Sequence, residues 1–389
     1  MSETINSEIV CFGGEDWWYH NRAHIDFQLM KRFAAKKKVL YINSIVMQKP
    51  KISQGKNFIK KLMRKSESIL HGLQKTDEGF YVFSPLSFPL HHIKRAKKVN
   101  DLIVGFQTAL VCAKLKIEDP LVWVACPAAA DIAINMKKSK LVYQRTDKYE
   151  EFPNIDSTII LKYDSALKQN ADITFYVNEK LYNIEASQCK KAMLIDHGVD
   201  FDIFANAEQI IDKPEDMADI PGPIIGFFGN IDEHLFDIPF TEKLITLMPN
   251  ASFVFIGKTL SNVSNLKNKN NVWMLGQKPY DKIPQYGKCF DVAIMPWKQN
   301  KWIEACNPIK LKEYLALGKP VVSTPFPELN KYLTVVYTAN TPEDFANCIS
   351  TAINENDLQK KTFRRKKVQG DTWDQKAKLV LETLQTIEV

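Results

Sequence analysis

The chain has 389 residues, 45% hydrophobic and 25% charged, with a formal net charge of +7. That length supports two hydrophobic cores, and the composition is that of an ordinary globular protein. No apolar run reaches the roughly eighteen residues of a membrane span, Met1 to Glu8 lacks the order of a secretory leader, and the seven scattered cysteines include no CxxC pair; the expectation is a cytoplasmic protein with reduced thiols and no structural zinc.

In the N-terminal half, residues 8–12, 38–42, 80–83, 121–124, 141–143, 173–176 and 193–195 read as strands. Residues 21–35, 57–73, 93–114, 157–170 and 178–187 read as helices between them. This alternation predicts a mostly parallel sheet covered on both faces. After the first strand comes Gly13-Gly14-Glu15-Asp16-Trp17-Trp18-Tyr19-His20-Asn21-Arg22. A glycine pair at a strand end lets a ligand approach the backbone. The aromatic, histidine and arginine side chains beside it suit a sugar and a phosphate, although a tryptophan-rich packing loop would use the same residues. We take Gly13, Gly14, Asp16 and Trp17 as an acceptor or phosphate loop, and His20 and Arg22 as catalytic candidates.

Between Lys31 and Ser66 there are many bases and no acid. Phe58, Ile59, Leu62, Met63, Ile69, Leu70 and Leu73 recur at helical spacing among Lys56, Lys60, Lys61, Arg64 and Lys65. This is the pattern of a basic amphipathic helix on an anionic membrane surface, or of a core-facing helix with a solvated outer face. Arg145-Thr146-Asp147-Lys148-Tyr149 follows a later strand. A carboxylate there can take the proton of an acceptor hydroxyl, or can pair with Arg145 or Lys148. His197, beside Gly198 at a strand end, is grouped with the acceptor or phosphate loop, and reads as either a donor contact or a structural cap.

The rhythm breaks in the polar stretch 200–222, which ends Pro221-Gly222-Pro223 and reads as an interdomain linker. It then restarts, with strands expected at 224–228, 252–256, 272–275, 292–295, 321–323 and 335–337, and helices at 241–248, 308–317 and 342–355. Residues 371–388 read as a final amphipathic helix. Two doubly wound domains place ligands at strand-end loops, so the substrate site is expected in an interdomain cleft. The most informative stretch runs from Asn307 to Thr324. It reads as a loop, a helix entered at Pro308, a glycine stop at Gly318 and a buried strand. The helix N-terminus, with Lys310 in its first turn, makes a diphosphate site, and Glu313 one turn on lies within reach of a sugar hydroxyl.

This block resembles the nucleotide-binding block of the GT-B glycosyltransferases, in which a glutamate of this helix holds the nucleotide ribose; Glu313 matches it. Asp196-His197-Gly198-Val199-Asp200 with Phe204, Gly226 to Ile231, Asn271 to Tyr280, Phe290 to Pro296 and Thr372-Trp373 match other family blocks in the same order. The resemblance covers nearly the whole chain and is nearest to bacterial surface-polysaccharide transferases of the teichuronic-acid and xanthan glucuronosyltransferase types. It implies an α/β fold with two Rossmann-like domains, 1–205 for the acceptor and 206–370 for the nucleotide sugar, and a helix at 371–389 crossing back.

The implied activity is transfer of a sugar from a nucleotide-diphosphate sugar, UDP-linked by preference, to a glycan or lipid-linked glycan acceptor. The enzyme would need no cofactor or metal, bind no nucleic acid, and work in the cytoplasm or on the inner face of the membrane. Asn307, Pro308, Ile309, Lys310 and Glu313, with Gly229, Asn230, Lys258, Gly276 and Tyr280, form the implied donor set, and Asp147 takes the role of base. Retaining relatives of family 4 carry two glutamates with seven residues between them. The first would fall at Ala305, with Glu304 one residue out of register, and this departure favours inversion. A nucleotide-sugar epimerase of the same fold and a non-catalytic transferase partner are the rival readings.

Overall fold

A computed structural model describes residues 8–19, 23–45, 56–88, 94–152, 155–355 and 357–387. The chain divides into two compact units, Met1–Asp196 with Lys376–Val389, and His197–Gln375.

The first unit holds strands β1 (Ile9–Phe12), β2 (Val39–Ile42), β3 (Leu73–Lys75), β4 (Tyr81–Phe83), β5 (Leu121–Val124), β6 (Lys140–Arg145), β7 (Ile173–Tyr176) and β8 (Ala192–Leu194). They form one sheet in the order β3-β4-β2-β1-β5-β6-β7-β8. Every neighbouring pair is parallel except β3 and β4. Helices α1 (Ile25–Ala34), α2 (Lys56–Leu70), α3 (Lys94–Leu115), α4 (Ala130–Asn135), α5 (Ser157–Asn170) and α6 (Glu179–Glu185) connect them. Strands β1, β2, β5 and β7 are buried at every residue, because helices shield both faces of a parallel sheet. Sequence caps set the helix starts: Asp156 accepts from Ile159 N–H and Asn178 from Leu181 N–H.

The second unit holds β9 (Ile224–Phe228), β10 (Ser252–Ile256), β11 (Val272–Gly276), β12 (Val292–Met295), β13 (Val321–Ser323) and β14 (Tyr337–Thr338), all parallel, in the order β11-β10-β9-β12-β13-β14. Its helices are α7 (Phe201–Ala205), α8 (Ile238–Leu247), α9 (Ser264–Lys267), α10 (Ile283–Gly287), α11 (Ile309–Ala316), α12 (Pro342–Ile353) and α13 (Leu358–Val368). A last helix, α14 (Trp373–Gln385), begins in the second unit and ends in the first.

The stretch 200–222, expected as a linker, is packed structure of the second unit. Phe204, Ala207, Met217 and Ile220 are buried in one cluster with Leu311 and Tyr314. Polar residues between those anchors give the segment its linker-like composition. Helix α2 stops before the expected 73 because Gly72, at φ +57°, turns the chain into β3. The side chains of residues 56–62, which carry most of the expected basic amphipathic face, lie outside the described residues. Among the described residues no helix is long and apolar enough to cross a membrane.

In each sheet the connections reverse direction at one strand. The first strand of the unit, β1 or β9, lies between the next strand in sequence and a later one, β5 or β12. Open α/β sheets bind ligands outside the carboxyl ends of their strands at such a point.

Candidate active site

In the second unit, the strand ends beside this switch point are built for close approach. Gly229 follows β9 at φ +139° and Gly257 follows β10 at φ +144°, conformations that side chains rarely adopt. A Cβ on Gly257 would lie 1.9 Å from the Gly229 carbonyl oxygen. The Gly229 amide donates to Ile256 O at 2.8 Å, and the Gly257 amide to the carbonyl of Gly276 at 2.8 Å. Ile231 N–H donates to the Lys258 carbonyl at 2.8 Å, so the Gly229–Asn230 turn is fixed against its neighbours.

Helix α11 enters beneath this turn. Pro308 is its N-cap, and among the described residues no side chain caps that end; Leu311 N–H turns back to Pro308 O at 3.2 Å, which leaves the N–H groups of Ile309 and Lys310 as those a ligand could meet. At the other end Gly318, at φ +77°, ends the helix, and Arg365 donates to the carbonyls of Ala316 and Leu317 at 3.2 and 3.3 Å. Phe228 N–H donates to Tyr314 Oη at 2.9 Å, tying the helix to the end of β9. A Cβ on Gly229 would lie 2.5 Å from Lys310 Nζ, so the ammonium sits directly against the glycine turn. It lies 5.0 Å from the centre of the Phe227 ring and 5.3 Å from that of Trp297. Among the described residues no carboxylate lies within ion-pair distance of it. Burial pulls its pKa below the usual lysine value, against the opposing pull of Cys306 and Glu313.

Glu313 is buried and accepts from Tyr280 Oη at 2.9 Å. Burial raises its pKa to about 7; the Tyr280 bond and Lys310 act against the rise, and Asp200 adds to it. The structure therefore brings Gly229, Lys310, Glu313 and Tyr280 together as one group. Pro308 and Ile309 stand at the helix entrance, with Asn307 just before it. One further residue escaped the sequence reading: Trp297, whose ring faces the ammonium. Asp200, read only as part of a matching block, also acts on Glu313 and Tyr280. Trp297 lies two residues past β12, and its place at a strand end was the available signal.

The first unit assembles a second strand-end group. Asp26, fully buried at the start of α1, accepts from Gly14 N–H at 2.8 Å and from Tyr41 Oη at 2.8 Å, and its other oxygen meets His24 Nδ1 at 2.9 Å. For His24, burial opposes the charge. Asp26, with help from Glu15 and Asp147, outweighs it and raises the imidazole pKa to about 9. Burial would likewise raise Asp26, but His24, Gly14 and Tyr41 hold it below the usual carboxylate value. Asp147 is half-buried on the turn that follows β6. Tyr149 Oη of the same turn donates to Ala125 O, just past β5, at 3.1 Å. His24 and Asp26 were not singled out from sequence; their spacing at the entry of α1 was the only local signal.

Several expected roles are corrected. Trp17 is core: it is buried edge-on to Phe27 and Phe80, at 5.1 and 4.8 Å, and its N–H donates to Asn43. Asp16 is engaged by Ser68 Oγ at 2.7 Å and by Trp18 N–H at 3.0 Å. The loop's glycines serve its own packing. A Cβ on Gly13 would overlap the Tyr41 ring, and the amide of Gly14 is spent on Asp26. His197 belongs to the second unit and is not part of that loop. It is buried edge-on to Trp373 at 6.0 Å, and its carbonyl accepts from Lys312 Nζ at 2.6 Å. Of the two bases expected to pair with Asp147, Arg145 is fully buried against Glu150 and Glu185, and Lys148 meets Glu151 at 3.1 Å. His20 and Arg22 lie outside the described residues.

Residues 222–355 match the family model described as "Glycosyl transferases group 1". Over 194 residues the chain is 28% identical to the "Putative teichuronic acid biosynthesis glycosyltransferase TuaH" of Bacillus subtilis (strain 168), a match covering 48% of each chain. The chain thus spans about half the length of the curated relative it matches. Among solved structures, sucrose-phosphate synthase from Thermosynechococcus elongatus superposes with a TM-score of 0.71 at 15% identity, over 98% of this chain and 99% of that one. Anabaena Alr3699/HepE in complex with UDP and glucose gives 0.67 at 14% identity, over 98% and 100%. These likenesses establish the fold class, GT-B.

Proposed function

We propose that the chain is a glycosyltransferase that moves a sugar from a nucleotide-diphosphate sugar to a glycan or lipid-linked glycan acceptor in surface-polysaccharide synthesis. The observation that carries this reading is the uncapped start of α11, with the Lys310 ammonium against Gly229 and Glu313 one turn on. That arrangement suits a diphosphate followed by a ribose. The family match over this unit and the relative's printed role in teichuronic acid biosynthesis support the reading. UDP is the favoured nucleotide, because a protein of the same fold binds it.

In the reaction, Asp147 takes the proton of an acceptor hydroxyl as its oxygen attacks the anomeric carbon. The bond from that carbon to the phosphate oxygen breaks, and the electron pair leaves on the nucleoside diphosphate. Lys310 and the free N–H groups of α11 meet the developing charge, the role a metal ion plays elsewhere. Attack opposite the leaving group inverts the anomeric configuration. Tyr280, donating to Glu313 at 2.9 Å, orients that carboxylate for the ribose, and the Trp297 ring flanks the Lys310 ammonium at 5.3 Å. Working on a lipid-linked acceptor would bring α2 against an anionic membrane, which binding of anionic vesicles by wild type and not by a Lys60/Lys61/Arg64 charge-reversed variant would establish.

The deciding experiment is a melting panel with UDP, GDP, CDP and ADP, with and without magnesium, on wild type and Glu313→Ala. A ligand that binds only the native state raises the melting temperature. The expected result is a shift with UDP, independent of magnesium and lost in Glu313→Ala. No shift with any nucleotide would overturn the reading in favour of a non-catalytic partner.

A further inference from the structure

We infer that Arg145 is a positioning residue for the transfer, holding Asp147 in place by closing the turn that carries it; this rests on the reading of Asp147 as the base. Arg145 ends β6, and Glu150 stands five residues later. The guanidinium spans the two ends of the turn, with Nη2 donating to both Glu150 oxygens at 3.0 and 2.9 Å. Behind it, Nη2 and Nε donate to Glu185 at 3.1 and 3.3 Å, and Nε lies 3.3 Å from Asp164. Lys168 meets both of those carboxylates at 2.6 Å, and Tyr143 Oη donates to Asp164 at 2.8 Å.

The rest of the turn is fastened as well. Trp123 Nε1 donates to Gln144 at 3.0 Å, and Gln144 donates to Thr146 Oγ1 at 2.8 Å. The Tyr149 amide donates to the Asp147 carbonyl at 2.9 Å, its hydroxyl reaches Ala125 O, and its ring lies 5.7 Å from the Arg145 guanidinium. Residues 144, 145, 146 and 149 are buried, while Asp147 and Lys148 are partly exposed. The turn is clamped on both sides of the one carboxylate it presents.

Stability alone does not account for this. A buried network of charges usually contributes little net stability against an apolar core of the same volume; what it supplies is a single geometry. Here two bases face three acids, so loss of the arginine leaves Lys168 alone against Asp164, Glu185 and Glu150. Glu150 would swing outward and release the turn. A displacement of about 1 Å of a reacting group can cost on the order of a hundredfold in rate.

Arg145→Met would endanger folding, so the informative variant is Arg145→Met/Glu150→Gln, which removes one charge of each sign. It is compared with wild type and Asp147→Asn in two measurements: hydrogen exchange of the amides of residues 145–150, and UDP release from UDP-glucose from about pH 4 to about pH 8, a range that covers the ordinary titration of a carboxylate. The expected result is an affinity for UDP equal to wild type, with faster exchange in the turn, UDP release lower by about ten- to a hundredfold, and an acid limb of the pH–rate profile displaced from wild type. Wild-type exchange in the double variant overturns the inference and needs no substrate. So does wild-type turnover in the double variant while Asp147→Asn is inactive, a result that leaves the proposed reaction standing. Wild-type turnover in Asp147→Asn overturns the assignment of the base, and the inference with it.

Discussion

The two units carry equivalent strand-end sites made from differently ordered parts. In the second unit, Lys310, Glu313 and the helix entrance at Pro308 lie within a few residues of each other, and Asp200, Phe227, Gly229, Tyr280 and Trp297 come from elsewhere. In the first unit, His24 and Asp26 enter from α1, Tyr41 from β2, Ala125 from behind β5 and Asp147 from behind β6. The charge balance differs too. The second site presents a half-buried ammonium with no carboxylate at ion-pair distance among the described residues, which suits an anion not yet bound. The first is self-compensated, with Asp26 answered by His24, Gly14 and Tyr41. On the proposed division of labour, the site for the charged donor leaves its charge open and the site for the neutral hydroxyl balances its own.

That contrast breaks most readily at Asp147. Replacing it with Asn is expected to lower turnover by about a hundredfold to ten-thousandfold, the usual contribution of a general base, while the affinity for UDP, read by calorimetry, stays unchanged. A parallel loss of UDP affinity would mean that the two sites do not divide the work as proposed.

The next effect separates the units by pH. Glu313 has a folded pKa of about 7, against 4.5 as the ordinary value. The folded state therefore holds its proton longer than the unfolded one, and stability falls as pH rises from about 4.5 to about 7. His24, near 9 against 6.5, has the same sign in a later window, and its contribution is lost as pH rises from about 6.5 to about 9. Each difference corresponds to about 3 kcal/mol, at about 1.4 kcal/mol per pH unit. Urea unfolding at pH 5, 7 and 9 should show Glu313→Gln flattening the first fall and His24→Gln the second. If each variant flattened both falls, the sites would not titrate independently.

Lys310→Met sharpens the comparison from the other side. It should weaken UDP binding by about thirtyfold, or about 2 kcal/mol, the contribution of one charge-assisted contact. The unliganded protein should melt no lower than wild type, because the variant no longer has to keep an ammonium half-buried between two rings. A lower melting point without ligand would show that Lys310 supports the fold.

The same contrast explains what the sequence made legible. The strands of both sheets apart from β3, and α11, were readable because each is encoded locally, by an apolar run or by Pro308 and Gly318 at the two ends of a helix. Helix α13 was not, because LQKKTFRRKKV has no apolar stripe and is held by Arg364 to Glu355 and by Arg365 to the end of α11. Strand β3, reading Leu-Gln-Lys, is an edge strand with no apolar run, paired with β4 through the turn at Thr76–Gly79. The Lys310–Glu313 group was readable for the same local reason as its helix. Asp26 and Tyr41 were not, because their significance comes from a hydrogen bond between elements fifteen residues apart. Trp17 looked like a ligand residue because composition alone does not say which face of a loop is buried.

The smallest expected effect tests whether the clamp around Asp147 is selective. Lys148 is its immediate neighbour in the same turn, yet it makes a partly exposed i,i+3 pair with Glu151. Pairs of this kind contribute about 0–1 kcal/mol, since water screens the charges and two long side chains lose freedom. Lys148→Ala should therefore change unfolding free energy by less than about 0.5 kcal/mol and leave turnover within about twofold of wild type. Arg145, three positions earlier and wholly buried, should not behave this way. If the exposed lysine proved as costly to remove as the buried arginine, the turn would be sensitive to any lost charge, and the clamp would owe nothing to where its charges sit.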